Sequence, residues 1–508
     1  MHLQKKKNKS GSTSIQIRQR AATGSKLVKT IGCSSDNGVI EQLLIKGKQE
    51  IDRLIGQQPI NFEALKEKEL VEVFFNRIEA VSLIGPELLL GKLFDEIGFN
   101  AIAEQLFRHL VITRLVYPVS KLKTTDYLFK YKGVTIKVDT VYRYLDKLQK
   151  EQIEQIQKIS LAHTLTILED SLSVVFYDVT TLYFEAADED VLRKTGFSKD
   201  GKHQQPQIVL GLLVSAGGYP LDYNIFEGNK YEGDTMLPVL QYFEKKYTHS
   251  KLIVVADAGL LSNKNIQQLI QKQYEFILGA RIKNEAEAIK EQILKLKLAD
   301  GDSHLIEKED KHRLIISYSI SRAKNDAHNR KRGIIKLEKA LTGGKLNKKH
   351  INNKGYNKYL KLEGKLNISI DYEKYKDDAK WDGLKGYLTN TNLTKEEVIS
   401  QYKQLWNIEK TFRISKSDLR IRPIYHHLKR RIESHICISF VACKIYKELE
   451  RQLRIKNCSS LIAQKVIDIL KTIYQLTITT PYSNTKQTRL LVKNEEQELI
   501  INLFDLKI

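Results

Sequence analysis

Residues Val174 to Phe184 read Val-Val-Phe-Tyr-Asp-Val-Thr-Thr-Leu-Tyr-Phe, a β-branched and aromatic run with one carboxylate, Asp178, in its middle. Such a run suits a strand covered on both faces. A strand of that kind offers an ionised Asp no cheap place, because an unpaired buried charge is costly or titrates to its neutral form. A cation is therefore expected beside Asp178. The pattern recurs at Lys251 to Gly259, where Leu-Ile-Val-Val-Ala leads into Asp257 and a glycine-containing turn. Two acids on two strands are placed to share one metal ion.

A third acid, Glu409, lies far downstream in Tyr-Lys-Gln-Leu-Trp-Asn-Ile-Glu-Lys-Thr-Phe-Arg-Ile-Ser-Lys, residues 402 to 416. Thr394 with Glu397 three residues later forms a capping box and starts a helix. At 100° per residue Tyr402, Glu409 and Lys416 fall within about 40° of one another on a single continuous helix, with Arg413 about 20° from Tyr402. Trp406 and Phe412 flank that face, so the Glu409 carboxylate is expected against an apolar wall.

The order strand-Asp, strand-Asp, helix-Glu, with Tyr402, Glu409 and Lys416 spaced Tyr-x6-Glu-x6-Lys, resembles the DDE transposases of bacterial insertion sequences. Within that group it is similar to members with a Tyr-Arg-Glu-Lys signature and a long insertion before the Glu. The phrases Gly-Phe-Ser-Lys-Asp-Gly (196 to 201), Gly-Asn-Lys (228 to 230) and Arg-Pro-Ile-Tyr-His (422 to 426) also look family-like. The resemblance spans roughly Ser120 to Ile473. One position departs from it: the signature Arg is Leu405 here. The resemblance implies Asp178, Asp257 and Glu409 as catalytic metal ligands, Asp178 bridging two ions of Mg²⁺ or Mn²⁺ and the other two acids holding one each. An all-carboxylate set suits such hard ions. It also implies that water first frees a 3′-hydroxyl at the element's end, and that this hydroxyl then attacks target DNA. Tyr402, Trp406, Arg413 and Lys416 become candidate DNA contacts, with Arg413 expected to replace the missing signature Arg.

The coarse pattern agrees with an α/β chain. Strands at 207 to 215 and 219 to 226 around Gly217-Gly218 form a hairpin, a helix covers 234 to 246, and the Asp257 strand, a helix from 262 to 272 and a strand at 276 to 280 follow. This is the order of a ribonuclease H-like mixed sheet with flanking helices. Residues 169–283 are read as its first part, 284–393 as a β-rich and basic insertion, 394–456 as the remainder of the catalytic domain and 457–508 as a C-terminal helix and tail. From Arg322 to Lys361 the insertion holds 13 Lys or Arg against 2 acids, which fits either a solvated face or DNA backbone contact.

Upstream, residues 1–60 are read as a flexible basic arm and leader, since the first 35 carry eight Lys or Arg and no acid. Residues 61–168 read as a separate α-helical DNA-binding domain. In it, the segments 120 to 128 and 139 to 148 around Gly133 suit a helix-turn-helix, with Lys137, Thr140 and Arg143 as the DNA-facing residues; an ordinary helical hairpin is the alternative. A net charge of +22 over 508 residues favours a polyanionic partner; the resemblance implies that this is double-stranded DNA carrying terminal inverted repeats and target sites, and its reaction class implies a homodimer in the synaptic complex. No apolar run approaches a membrane span, no signal peptide is visible, and a cytoplasmic location follows. The four cysteines form no CxxC pair and read as reduced thiols. Two other function classes stay open: a ribonuclease H-like nuclease without strand transfer, and a catalytically decayed DNA-binding descendant.

Overall fold

The computed structural model describes the chain apart from residues 22–23, 57–61, 170–171, 247–251, 261, 309–311, 353–354, 364–366, 459, 481–482 and 508. Asn61 and Lys251, which open the expected α-helical domain and the run leading to Asp257, lie outside the described residues. The chain forms two compact units, Met1–Ala80 with Thr477–Thr488, and Val81–Leu476 with Arg489–Ile508.

In the first unit the expected flexible arm is instead folded. Strands His2–Lys7, Thr13–Ala21 and Gly24–Ser34 form an antiparallel sheet, followed by the helix Asn37–Ile55. Asp36 caps that helix by accepting from the Val39 amide, and Gly56 closes it in the left-handed region with φ 78°. The physical reason is a period-two pattern that the abundance of Lys obscures: Ile15 and Ile17 alternate with polar residues and are fully buried.

The second unit is built on an eight-stranded sheet. Its strands are β1 (Val174–Tyr183), β2 (Gln207–Ser215), β3 (Pro220–Glu227), β4 (Ile253–Ala256), β5 (Glu275–Ala280), β6 (Ser303–Glu307), β7 (Arg313–Tyr318) and β8 (Leu384–Thr389). They lie in the order β6-β7-β8-β5-β4-β1-β2-β3. β1, β4 and β5 run parallel, and β2 and β3 pair antiparallel on the other side of β1. The five strands β1 to β5 are a ribonuclease H-like sheet. β8, β7 and β6 extend it in antiparallel fashion from β5, so the strands expected in a separate insertion lengthen the main sheet. Most of the basic block is not β-structure but the 23-residue helix Ile320–Thr342.

Helices α1 (Lys121–Lys132), α2 (Val138–Lys147) and α3 (Lys150–Ile167) precede β1. They do not form the separate domain expected from sequence. Leu110, Leu145 and Ile156 share one apolar core with Phe176 and Leu210 of the sheet and with Ile436 and Phe440 of the long helix Lys429–Ile455. That long helix is buried nearly all round, which explains its weak amphipathic signal. α1 ends at Gly133, φ 65°, and Lys137, Thr140 and Arg143 stand exposed on one side of α2. Asp146 accepts from Arg431 Nε (2.8 Å) and Nη2 (2.7 Å) and from Arg430 Nε (2.7 Å), pinning α2 to the long helix. The expected C-terminal tail is also ordered, ending in the helix Glu495–Phe504 with Ile500 and Phe504 buried.

A buried ion pair ties α3 to the sheet. Lys246 Nζ donates to Asp222 Oδ2 on β3 and to Gln157 Oε1 on α3, each at 2.8 Å, and the side chains of Lys246 and Asp222 are 7% and 2% exposed. Removing one partner leaves an uncompensated buried charge, a loss of about 3 to 5 kcal/mol. Asp222→Ala is therefore expected to lower the free energy of chemical unfolding by about that amount and to shift the denaturant midpoint down accordingly, whereas the exposed Lys48→Ala should leave both unchanged.

Candidate active site

The parallel register of β1 and β4 positions the two aspartates. Tyr177 pairs with Ala256, so the next residues along these adjacent strands are Asp178 and Asp257, side by side where β4 and its parallel pairing with β1 end, β1 itself running on to Tyr183. Asp178 still sits in the covered part of the sheet, with its side chain 22% exposed. Burial pushes its carboxyl up to about 6, an effect that the nearby Lys199 ammonium and the Val179 amide only partly offset and that the neighbouring Glu232 and Asp257 carboxylates reinforce. The expected cation is Lys199, whose Nζ lies 3.7 Å from Asp178 Oδ1 and 3.3 Å from Glu232 Oε1. Asp257 is exposed beyond the end of β4, and the Tyr402 hydroxyl donates to its Oδ1 at 2.9 Å.

The helix carrying Glu409 is not continuous. It starts with the expected capping box of Thr394 and Glu397 as α4 (Lys395–Lys403) and resumes as α5 (Trp406–Arg413). Between them the Leu405 and Asn407 amides donate three residues back, to Tyr402 and Gln404 carbonyls at 3.0 and 2.9 Å. Past α5 the coil widens into a π-turn over Ile414–Asp418, with the Leu419 amide donating to the Ile414 carbonyl at 3.0 Å. Counting 100° per residue across these breaks therefore misplaces the side chains. Tyr402, Leu405, Ile408 and Phe412 are buried, whereas Trp406, Glu409 and Arg413 form an exposed stripe. Glu409 thus faces solvent rather than an apolar wall. Arg413 does not share Tyr402's face; its charge lies near Asp418.

Sequence reasoning missed Lys385 on β8. Its ammonium lies 4.3 Å from the centre of the Tyr402 ring, a cation–π contact, and feels the charges of both Asp257 and Glu409. Burial and the nearby Arg322 outweigh those carboxylates and lower its pKa. Glu232 was missed as well, because a Glu in a glycine-rich loop carries no periodic signal. The loop 196 to 201 delivers two charges: Lys199 to Asp178, and Asp200 to Lys416 Nζ (3.3 Å) and Arg422 Nε (3.4 Å). A cleft of about 770 Å³ opens beside Asp257 and Tyr402, and the basic block contributes Arg322, Arg330 and Lys358 to its wall. Arg330 and Lys358 pair there with Asp382 and Asp378.

Among the described residues no three His, Cys, Asp or Glu side chains are gathered as a ready metal-ligand set. Asp178 and Asp257 are brought together by the strand register, and Glu409 is linked to them through Lys385. The donors fit a hard divalent ion, being carboxylates only.

The sheet order and the paired aspartates at its open end define a ribonuclease H-like protein with an acidic site. Residues 169–443, more than half of the chain, match the transposase DDE domain, and the chain belongs to that family. It is a DNA transposase. Among solved structures, a piggyBac transposase synaptic complex with hairpin DNA is similar at 10% identity and a TM-score of 0.38, over 77% of this chain and 79% of that one. The Mos1 transposase paired-end complex with left transposon end is similar at 12% identity and a TM-score of 0.16, over 31% of this chain and 53% of that one. No curated protein matches the chain.

The raised Asp178 sets a pH dependence of stability. The folded state holds this proton up to about pH 6, while the unfolded chain releases it near pH ~4. Folding therefore takes up a proton between those values, and stability falls as pH rises through that window. In metal-free buffer Asp178→Asn is expected to raise the thermal midpoint at pH 8, with the gain vanishing by pH ~4. Calorimetric scans across that range check it; an unchanged or lowered midpoint at pH 8 would contradict the burial argument.

Proposed function

We propose that this transposase belongs to a bacterial insertion sequence, binds the element's terminal inverted repeats as a homodimer, cleaves there and joins the freed 3′-hydroxyl ends to target DNA. The observation that carries this reading is the strand register that sets Asp178 beside Asp257. Asp178, Asp257 and Glu409 are the catalytic acids and would hold Mg²⁺ or Mn²⁺. When bound, such ions activate the attacking oxygen and stabilise the leaving one in an in-line phosphodiester displacement.

The chain's own groups prepare that site. Lys199 partly offsets the charge of Asp178 and Glu232, and Tyr402 orients Asp257 through its hydroxyl. Lys385, between Asp257 and Glu409, supplies the cation that Leu405 cannot, a role that sequence reasoning assigned to Arg413. Trp406 and Arg413, exposed beside Glu409, contact the DNA strand, and Lys416 does so by exchanging Asp200 for a phosphate. Lys137, Thr140 and Arg143 on α2 contact the duplex, as the helix-turn-helix reading requires. The charge of +22 supports the polyanionic substrate. Among the described residues no helix is long and apolar enough to cross a membrane, and a cytoplasmic location on the nucleoid fits the DNA substrate.

Purified protein incubated with Mg²⁺ and a plasmid carrying the flanking repeats is expected to yield both cut ends and joined products. Cut ends alone would favour a nuclease without strand transfer. Asp178→Ala, Asp257→Ala and Glu409→Ala should each abolish cleavage while leaving end binding within a few fold, because binding rests on Lys and Arg contacts to phosphate. A variant that still nicks DNA removes its residue from the site.

Lys385→Ala is expected to slow cleavage ~10-fold or more, in line with a charge-assisted contact, with Lys385→Arg recovering part of the rate. Lys403→Ala, exposed at the end of α4, is the control and should change little. Equal losses in the Lys385 and Lys403 alanine variants would return the missing Arg's role to another side chain.

A further inference from the structure

The three-stranded sheet at the start of the chain has two unlike faces. Cross-strand partners share a face, so the register sorts them. Leu3 pairs with Ile17 and Lys5 with Ile15; this side packs on the helix Asn37–Ile55, where a Cβ on Gly47 would lie 2.5 Å from the Leu3 side chain. On this side Lys29 Nζ meets Glu50 of the helix at 2.6 Å, whereas Lys5, at the edge of the sheet, has no carboxylate within ion-pair distance among the described residues. The other side carries Gln4 opposite Gln16, His2 opposite Arg18, Lys6 opposite Ser14, Gln16 opposite Thr30, Arg20 opposite Ser25 and one apolar residue, the exposed Leu27 opposite Arg18; Ser14, at its rim, is covered by the Asn8 side chain. This side contains no acid, since the first carboxylate of the chain is Asp36. Among the described residues none of Lys6, Arg18 or Arg20 has a carboxylate within ion-pair distance, in contrast to Lys29 and Arg53 of the same unit.

Arg18 is preset in this open face. Its Nη1 donates to Gln4 Oε1 and its Nη2 to the Ser25 carbonyl, each at 3.0 Å. The guanidinium is thus held across all three strands by neutral acceptors, which leaves its charge uncompensated. A sheet face rich in Arg, Lys, Gln and Thr, with Leu27 as its one large apolar side chain and no acid, is complementary to a polyanion that also presents hydrogen-bonding edges. The outer strands of a three-stranded sheet lie about 10 Å apart, comparable with the major groove's width of about 12 Å, and the groove admits β-ribbons as well as helices.

We infer that this open face is a second DNA-binding site, one that seats the three-stranded sheet against duplex DNA with Lys6, Arg18 and Arg20 on phosphates and Gln4, Gln16 and Thr30 towards base edges. The inference rests on DNA being the substrate of this chain. It assigns to a folded module the charge that otherwise reads as a loose arm, and it gives the protein a contact independent of α2 and of the acidic site.

The test uses the full-length chain carrying Lys6→Ala, Arg18→Ala and Arg20→Ala together. Its charge-matched control carries Lys46→Ala, Lys48→Ala and Arg53→Ala, three exposed positions on the covering helix. Both are titrated by fluorescence anisotropy with a duplex bearing the element's end and with a single strand of equal length, over a range of salt concentrations. The open-face variant should bind the duplex ~10-fold or more weaker near 0.1 M salt, with the slope of log affinity against log salt flatter by about 2 to 3, one phosphate contact per cation lost. The control should bind within about 3-fold of wild type, and all three proteins should melt alike. Equal weakening in both variants, an unchanged salt slope in the open-face variant, or a loss seen with the single strand rather than the duplex overturns the inference. A wild-type protein that binds no duplex at all sinks the DNA-substrate reading itself, an outcome separate from a wild type that binds and a variant that binds equally well.

Discussion

The parallel pairing of β1 with β4 is the constraint on which the site depends. Hydrogen bonds that align Tyr177 with Ala256 leave the following residue of each strand adjacent, and both are aspartates. Asp178 is largely removed from water, and the neighbouring Asp257 adds a like charge beside it. The backbone ladder supplies the energy that holds them together, and the cost appears as a carboxyl that keeps its proton up to about pH 6.

The surrounding charges follow from that tension. Lys199 enters from the loop after β1 and contacts both Asp178 and Glu232, while Lys385 reaches the other side from β8, resting on the Tyr402 ring. The extra strands β6 to β8 therefore do more than lengthen the sheet: they bring a lysine to the acids from an edge that a five-stranded sheet would lack. The same logic of internal compensation holds at Asp200, which occupies Lys416 and Arg422. It fails on the open face of the N-terminal sheet, where the cations have no acid to meet.

Much of this was legible along the chain. The runs around Asp178 and Asp257 announced strands by residue type alone, the demand for a cation beside Asp178 followed from desolvation, and Thr394 with Glu397 marked a helix start that the structure keeps. The errors have separate causes. Tyr402, Glu409 and Arg413 were placed by a uniform helical rotation, but a tight turn at Gln404 and Leu405 resets the phase. The first 35 residues were read by their charge, although Ile15 and Ile17 already carried the alternation of a buried strand face. Lys385 and Glu232 had no periodic or local signal to find.

The sequence by itself determined the local elements and the chemistry of the acids, because β-branched runs, capping residues and the cost of a buried charge act over a few residues. It also limited the order of the five strands β1 to β5, since three antiparallel strands followed by a crossover leave few ways to pair, but it did not show that β6 to β8 would join the same sheet. Only the tertiary structure decided which cation meets which carboxylate, which face of α5 is wet, and that α1 to α3 share the core of the sheet rather than standing apart. Those outcomes depend on contacts between residues hundreds of positions apart, such as Tyr402 with Asp257 and Arg431 with Asp146. Such pairs are fixed by how the apolar faces of distant elements fill one interior, and no window of sequence contains that information.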